Sequence, residues 1–304
     1  MSNKRRGIFR PMLAGTLTDM GTLNFPVIAT PKIDGIRCLK IDGNIVSRSL
    51  KPIPNRHISS FLESALPEGA DGEIVVGSTF QDSTSGVMSV DGTPNFTYHI
   101  FDLYDMKWGY LQRLDALGYW EKTIGSIHRP TIQVVPAMFI KTIEQLLKYE
   151  KKQLLAGFEG VMVRSPDGPY KCGRSTEKEG FLLKIKRFAD SEAVVIGFEE
   201  QLKNNNPKTT NELGLSKRSS NQAQKVPSGT LGKFIAKDGD VEFCIGTGVG
   251  LTAAMRQHIW DNRPLFLGRT IKYKFQKCGT KDAPRLPIFL GFRDPLDMET
   301  TNEP

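Results

Sequence analysis

The chain has 304 residues, enough for two domains of ordinary size, each with its own core. Hydrophobic residues make up 39% and charged residues 24%, which excludes wholesale disorder, and 41 Lys and Arg against 33 acids give a net charge of +8 that favours a polyanionic partner without requiring one. The basic N-terminus lacks the apolar run of a signal peptide, no segment has transmembrane length, and Cys38, Cys172, Cys244 and Cys278 show no C-x-x-C spacing, so a soluble intracellular protein without a zinc site or disulfide framework is expected. In chain order, residues 25–30 and 36–41 read as strands around a turn, and Gly43 and Asn44 mark a second tight turn before a strand at 45–48. The spacing of Ile58, Phe61, Leu62 and Leu66 predicts a helix over 56–66, with further strands at 73–76 and 98–102. Residues 141–155 form the clearest helix, opened by Thr142 and Gln145 in a capping-box pattern and stopped by Gly157.

After Lys186 the texture changes. Residues 193–198 read as a strand, followed by a long polar stretch, 202–229, that carries Lys203, Lys208, Lys217, Arg218 and Lys225 against the single acid Glu212. A stretch this long without a pattern of its own is expected to be functional or disordered. Beyond it come a strand at 241–246 and a helix at 252–262 capped by Thr252. Then Ile271, Tyr273 and Phe275 alternate with Lys272, Lys274 and Gln276, and a last strand spans 286–292. Several short strands with one helix fit a small β-barrel. An OB-fold binds nucleic acid on such a surface, and an SH3-like barrel fits the pattern nearly as well.

The segment that carries chemistry is Lys32-Ile33-Asp34-Gly35-Ile36-Arg37. Its four informative letters would occur by chance in about 0.002 chains of this length, so coincidence is a poor account of it. A free lysine amine, with a pKa of ~10.4, is protonated and not nucleophilic at neutral pH. Neighbouring cations and desolvation depress that value and free the lone pair for attack on the α-phosphorus of a nucleotide, with pyrophosphate leaving. A metal ion must then offset the phosphate charge, so acids and further cations are needed nearby.

The sequence supplies both, in an order that resembles the covalent nucleotidyltransferases: DNA ligases, RNA ligases and mRNA capping enzymes. Residues 32–37 resemble motif I of that family and Ser47-Arg48-Ser49 the motif that follows. Asp71-Gly72-Glu73-Ile74-Val75 resembles motif III, Phe101-Asp102-Leu103 motif IIIa, residues 159–164 motif IV and residues 182–186 motif V. Pro284-Arg285-Leu286-Pro287, continued to Arg293 and Asp294, resembles motif VI. The likeness runs from Thr30 to Asp294. It implies an α+β fold: a nucleotidyltransferase (ATP-grasp-like) domain of antiparallel sheets and helices over 1–188, then an OB-fold β-barrel over 189–304 with a latch-like basic insert at about 202–229.

The same resemblance implies the roles. Lys32 is the nucleophile that carries AMP, and Thr30 lies beside the nucleotide. Arg37 and Glu73 hold the ribose or the adjoining phosphate, and Phe101 stacks on adenine. Glu159, with Glu73, holds Mg2+ or Mn2+, and Asp34 lies near the metal or the terminal hydroxyl. Lys184 and Lys186 contact the α-phosphate, and their charge is expected to depress the Lys32 pKa. Arg48 binds the 5′-phosphate of a nick, Arg174 contacts DNA or AMP, and Arg285 and Arg293 clamp pyrophosphate.

Ile33 after the lysine and the L-L-K-I-K run favour an ATP-dependent DNA ligase over a GTP-dependent capping enzyme. The barrel-like tail with Arg285 favours it over an RNA ligase. A non-catalytic nucleic-acid-binding OB protein would leave Lys32 unexplained. In a minimal member of the family an insert in the OB domain closes around DNA. Here 204–229 occupies that place, so Lys217, Arg218 and Lys225 are expected on phosphates, with the segment mobile until it meets nicked duplex DNA. A monomer that encircles DNA, away from membranes, is the expected working form.

Overall fold

The computed structural model describes residues 9–104, 106–123, 125–248, 250–276 and 283–293; Cys278, Asp294 and the basic residues 1–8 lie outside these. The chain divides into two compact units, Met1–Lys186 with Asn211–Leu215, and Arg187–Thr210 with Ser216–Pro304.

In the first unit the strands are β1 (Gly15–Thr16), β2 (Val27–Pro31), β3 (Ile36–Ile41), β4 (Asn44–Ser47), β5 (Ala70–Val76), β6 (Phe96–Leu103), β7 (Ile132–Val134), β8 (Met138–Ile140), β9 (Gly160–Arg164) and β10 (Leu183–Lys186). They form two five-stranded sheets, ordered β1-β10-β9-β2-β8 and β4-β3-β5-β6-β7. Most pairings in both sheets are antiparallel, as expected; β1 runs parallel to β10 and β7 parallel to β6. Helices α1 (Arg56–Ala65), α2 (Phe80–Met88) and α3 (Tyr110–Thr123) belong to the second sheet, and α4 (Ile143–Leu155) to the first.

Local chemistry explains the elements. Asn55 caps α1 by accepting from Ile58 N–H, and Ile58 and Leu62 are fully buried, each contributing roughly 1.5–3 kcal/mol of burial. Thr142 caps α4 by accepting from Gln145 N–H, whereas the Gln145 side chain reaches back to Lys141 N–H rather than to the cap residue. Two helices escape the sequence pattern. In α2, Thr79 and Asp82 form a full capping box on a short helix that buries only Ser83 and Val87. In α3 the inward face is Tyr110, Arg113 and Leu117, and a buried arginine breaks the apolar period.

In the second unit β11 (Ala189–Asn204), β14 (Lys225–Asp238), β15 (Val241–Gly246), β17 (Arg285–Phe292) and β16 (Thr270–Gln276) close in that order into a barrel. Val195, Leu231, Phe234, Ile245, Ile271 and Phe289 fill it, and Ile259 of α5 (Ala253–Asp261) packs onto that core. A short α6 (Arg263–Phe266) follows. Thr252 caps α5, accepting from Met255 N–H.

The polar stretch at 202–229 is more regular than its composition suggests. β11 and β14 continue past the barrel as paired strands, Leu202 opposite Pro227 and Asn204 opposite Lys225, and β12 (Lys208–Thr210) pairs with β13 (Ser216–Arg218) as a hairpin. Asn side chains replace a core here. Asn206 Nδ2 donates to Ser219 O and Asn221 O, and Asn211 Oδ1 accepts from Leu213 N–H and Leu215 N–H. No helix among the described residues is long and apolar enough to cross a membrane.

Candidate active site

A cleft of about 280 Å³ opens in the first unit. It is built where β2 ends, where β3, β5 and β6 turn one face outward, and where β9 and β10 meet. Lys32 follows β2, and its N–H donates to Gly160 O at 2.9 Å, which sets the lysine beside the start of β9. Gly160 sits at φ +153°, and a Cβ there would come within 2.2 Å of Ile185 O, so the close approach of β9 and β10 requires glycine. Gly35 is constrained in the same way, since its Cβ would fall 2.3 Å from Ile74 O.

Strand alternation orients the other groups. Leu183 and Ile185 face the core, which turns Lys184 and Lys186 the other way, into the cleft. Arg37 and Glu73 are direct partners across β3 and β5, so they share a face. Tyr98 and Ile100 are buried, and Phe101, of opposite parity to Ile100, lines the cleft. Thr30, Lys32, Arg37, Arg48, Glu73, Phe101, Arg174, Lys184 and Lys186 all line the same space. Leu13, Ala14, Pro31, Ile33, Met162 and Leu182 supply apolar wall. The cleft thus offers an aromatic ring, apolar walls and seven cationic side chains, counting Arg164.

Glu159 stands behind the lining. Its Oε2 lies 2.5 Å from Lys32 Nζ, and its Oε1 accepts from Lys186 Nζ. Burial pushes this carboxyl up, but the Lys32 charge and the bonds from Lys186 and Lys32 outweigh it and hold it below the usual carboxylate value. Burial pushes Glu73 up to about 7, against the pull of Arg37 and Lys32 and with a push from the charges of Asp71 and Asp34. Lys184 is lowered, first by burial and then by Lys186, Arg174 and Lys32. Arg37 is raised: burial opposes its charge, and Asp71, through charge and hydrogen bonds, more than offsets that. Its guanidinium lies 5.1 Å from the centre of the Phe101 ring.

Arg285 opens β17 opposite Gln276. Arg293, expected at pyrophosphate, donates from Nε to Glu192 at 2.5 Å on the barrel. Lys217 and Arg218 lie on β13 and Lys225 opens β14, all in the insert. Arg218 is also structural, since its Nη1 donates to Asn206 O. Arg174 is held likewise, donating to Ala14 O at 2.5 Å.

Two features of the cleft lie outside the sequence expectations. Arg164, the last residue of the 159–164 motif, lines the cleft, and its side chain is 5% exposed. It binds Asp102, which Arg113 also holds at 2.6 Å. The segment around Met12, at the end of the basic N-terminus, forms a wall of the cleft, with Leu13 N–H on Gly173 O and Gly15 N–H on Leu182 O. The arginine at the end of motif IV was a usable signal; nothing in Pro11-Met12-Leu13-Ala14 alone marks a wall.

Comparison with known proteins matches both units. A family model described as ATP dependent DNA ligase domain covers residues 11–186, and one described as DNA ligase OB-like domain covers residues 224–293. A DNA ligase of Haemophilus influenzae is 23% identical over 274 residues, 86% of this chain and 85% of the relative. Among solved structures, Chlorella virus DNA ligase-adenylate aligns with a TM-score of 0.56 and 37% identity over 95% of this chain and 99% of that one. A structure from the Lig E DNA ligases aligns with a TM-score of 0.70 and 22% identity, covering 93% and 99%.

Proposed function

The chain belongs to the ATP-dependent DNA ligase family, and from that premise we propose that it seals 3′-hydroxyl/5′-phosphate nicks in duplex DNA through an AMP adduct on Lys32. Its two parts are a mixed α+β nucleotidyltransferase unit and an OB-fold unit. RNA-ligase, GTP-capping and non-catalytic readings are not favoured, since both family models are DNA ligase models. The observation that carries the site assignment is the convergence of one amine, one aromatic ring and six further cations on a single cleft.

In the first step ATP enters with adenine on Phe101 and its ribose near Arg37 and Glu73. Lys184 and Lys186 meet the α-phosphate, where their charges stabilise the transition state. Lys32 attacks the α-phosphorus, the N–P bond forms, and the bond to pyrophosphate breaks. Lys32 Nζ is held 2.5 Å from Glu159 Oε2, so attack requires that this pair open and free the amine's lone pair.

A divalent cation fits this donor set. Glu159 Oε2 is buried and, among the described residues, is met by the Lys32 ammonium at 2.5 Å, a place a cation takes once that lysine moves away. No group of three or more His, Cys, Asp or Glu gathers at one point among the described residues, so Mg2+ or Mn2+ would be held by Glu159 and Glu73 with nucleotide phosphates and water completing its shell. When bound, the cation offsets phosphate charge.

In the second step AMP passes from Lys32 to the 5′-phosphate, which Arg48 holds. In the third the 3′-hydroxyl attacks and AMP leaves. Asp34, close enough for its charge to push on Glu73, serves the hydroxyl side. Arg174 contacts the nucleotide, Arg285 and Arg293 act on pyrophosphate, and Lys217, Arg218 and Lys225 bind duplex phosphates. The protein acts as a monomer, with basic side chains of both units on one duplex. Lys32→Ala should abolish ATP-dependent sealing and retain part of the sealing of pre-adenylated nicks. ATP-dependent sealing that persists in that variant refutes the assignment.

A further inference from the structure

Beneath the cleft four groups close a ring of hydrogen bonds. Asp71, fully buried, accepts Arg37 Nε on Oδ1 and Arg37 Nη2 on Oδ2, both at 2.6 Å. Tyr170 Oη donates to Asp71 Oδ2 at 2.7 Å and accepts from Met12 N–H at 3.0 Å. Arg37 Nη2 donates on to Met12 O at 3.1 Å, which completes the circuit. Two of the three guanidinium nitrogens are therefore committed to the ring, and the cleft meets an arginine with a fixed plane. Burial and the Asp71 charge push the Tyr170 phenol well above its ordinary range, so it remains a donor at neutral pH.

We propose that Tyr170 is a positioning residue for recognition of the nucleotide sugar: its hydroxyl fixes Asp71, and through Asp71 the Arg37 guanidinium, against the wall that begins at Met12. A carboxylate held by one arginine alone can rotate about its Cβ–Cγ bond, and its guanidinium partner swings with it. The tyrosine supplies the third point that forbids this, and it ties the same carboxylate to the backbone of Met12, next to Leu13 and Ala14 of the cleft wall. The Tyr170 ring has separate duties. It lies 6.4 Å from Phe9 and 6.1 Å from Tyr104, with the Arg113 guanidinium 5.9 Å from its centre. Removing only the hydroxyl leaves these contacts in place.

This inference rests on the reading that Arg37 faces the sugar of ATP bound for Lys32. The test uses the full chain, with ATP, 2′-deoxy-ATP and 3′-deoxy-ATP as substrates for adduct formation, and a thermal melt of each variant. Wild type should prefer ATP over at least one deoxy analogue. Tyr170→Phe should shrink that preference about 3- to 10-fold, raise KM for ATP about 5- to 10-fold and leave the rate at saturating ATP within about twofold, the scale of one ordinary hydrogen bond, since Tyr170 acts on the sugar only through Asp71 and Arg37. Asp71→Asn, of the same shape, should act in the same direction, and the double variant should be no worse than Asp71→Asn alone. A wild-type adduct with an unchanged sugar preference in Tyr170→Phe, whatever its melting point, overturns the inference and spares the ligase reading. If Tyr170→Phe does not fold, an unchanged preference in Asp71→Asn overturns it instead. Absence of any adduct in wild type overturns both.

Discussion

Asp102→Asn should cost the first unit far more stability than the loss of one surface charge. Asp102 is fully buried on β6. It accepts Arg113 Nε at 2.6 Å and Nη2 at 3.3 Å, Leu103 N–H at 2.8 Å, and Arg164 Nη1 on Oδ2. The side chains of Arg113 and Arg164 are 1% and 5% exposed, so the substitution leaves two guanidiniums inside the protein without their counter-ion. Breaking a buried pair from one side costs ~3–5 kcal/mol, mostly for the stranded charge. At roughly 2–4 °C per kcal/mol for a unit of this size, the melting temperature should fall by about 6–20 °C. Glu199→Gln is the internal control. Its partner Lys233 is 2.8 Å away, but the two side chains are 44% and 50% exposed, so the change should cost about 0–1 kcal/mol. Scanning calorimetry of the full chain gives both values. An Asp102→Asn melt within about 2 °C of wild type, or no lower than that of Glu199→Gln, would show that Asp102 does not anchor the two arginines.

Other substitutions probe the cleft and the insert. Phe101→Ala should raise KM for ATP about 10- to 100-fold in adduct formation, because base stacking on an aromatic ring is worth ~1–3 kcal/mol; a change under about threefold would place adenine elsewhere. Glu73, pushed up to about 7, becomes a full acceptor only as pH rises through that value, so kcat/KM for adduct formation should climb between about pH 6 and 8 and lose that segment in Glu73→Gln. The same shift means that the folded protein holds the Glu73 proton more tightly than the unfolded chain does. The Glu73 contribution to stability is therefore lost as pH rises from 4.5 towards about 7, and Glu73→Gln should flatten that decline. Lys217→Ala with Lys225→Ala should lower the slope of log affinity for nicked duplex against log salt by about 2 while adduct formation stays unchanged; equal losses in both would remove the insert from DNA binding.

The lining of the cleft is legible in the sequence where side chains sit at short, fixed spacings. Lys32, Asp34, Gly35 and Arg37 occupy one turn and one strand, and β10 reads as alternating Lys184 and Lys186 because one face of it is core. The structure brings nine of the expected nucleotide and DNA residues to one cleft wall, with Glu159 immediately behind Lys32. What escaped the sequence was long-range or polar. Asp71 and Tyr170 meet across 99 positions, and Asp102 and Arg164 across 62, through contacts that no local pattern encodes. Arg113 hid α3, since a charge at an inward position looks like a solvent face. β12 and β13 escaped because every residue of both is exposed, so no apolar alternation marks them as strands. Arg218 is expected on DNA from the likeness of the insert to that of a family member, and its bond to Asn206 O means that the same side chain also serves the fold of its own hairpin.

The most direct test is intact-mass and peptide mass spectrometry of the purified chain after incubation with ATP and Mg2+. The account predicts one added adenylyl group per chain, released as AMP by acid, located on Lys32 and absent from Lys32→Ala. An adduct on another residue, or none with any metal or nucleotide supplied, would contradict it.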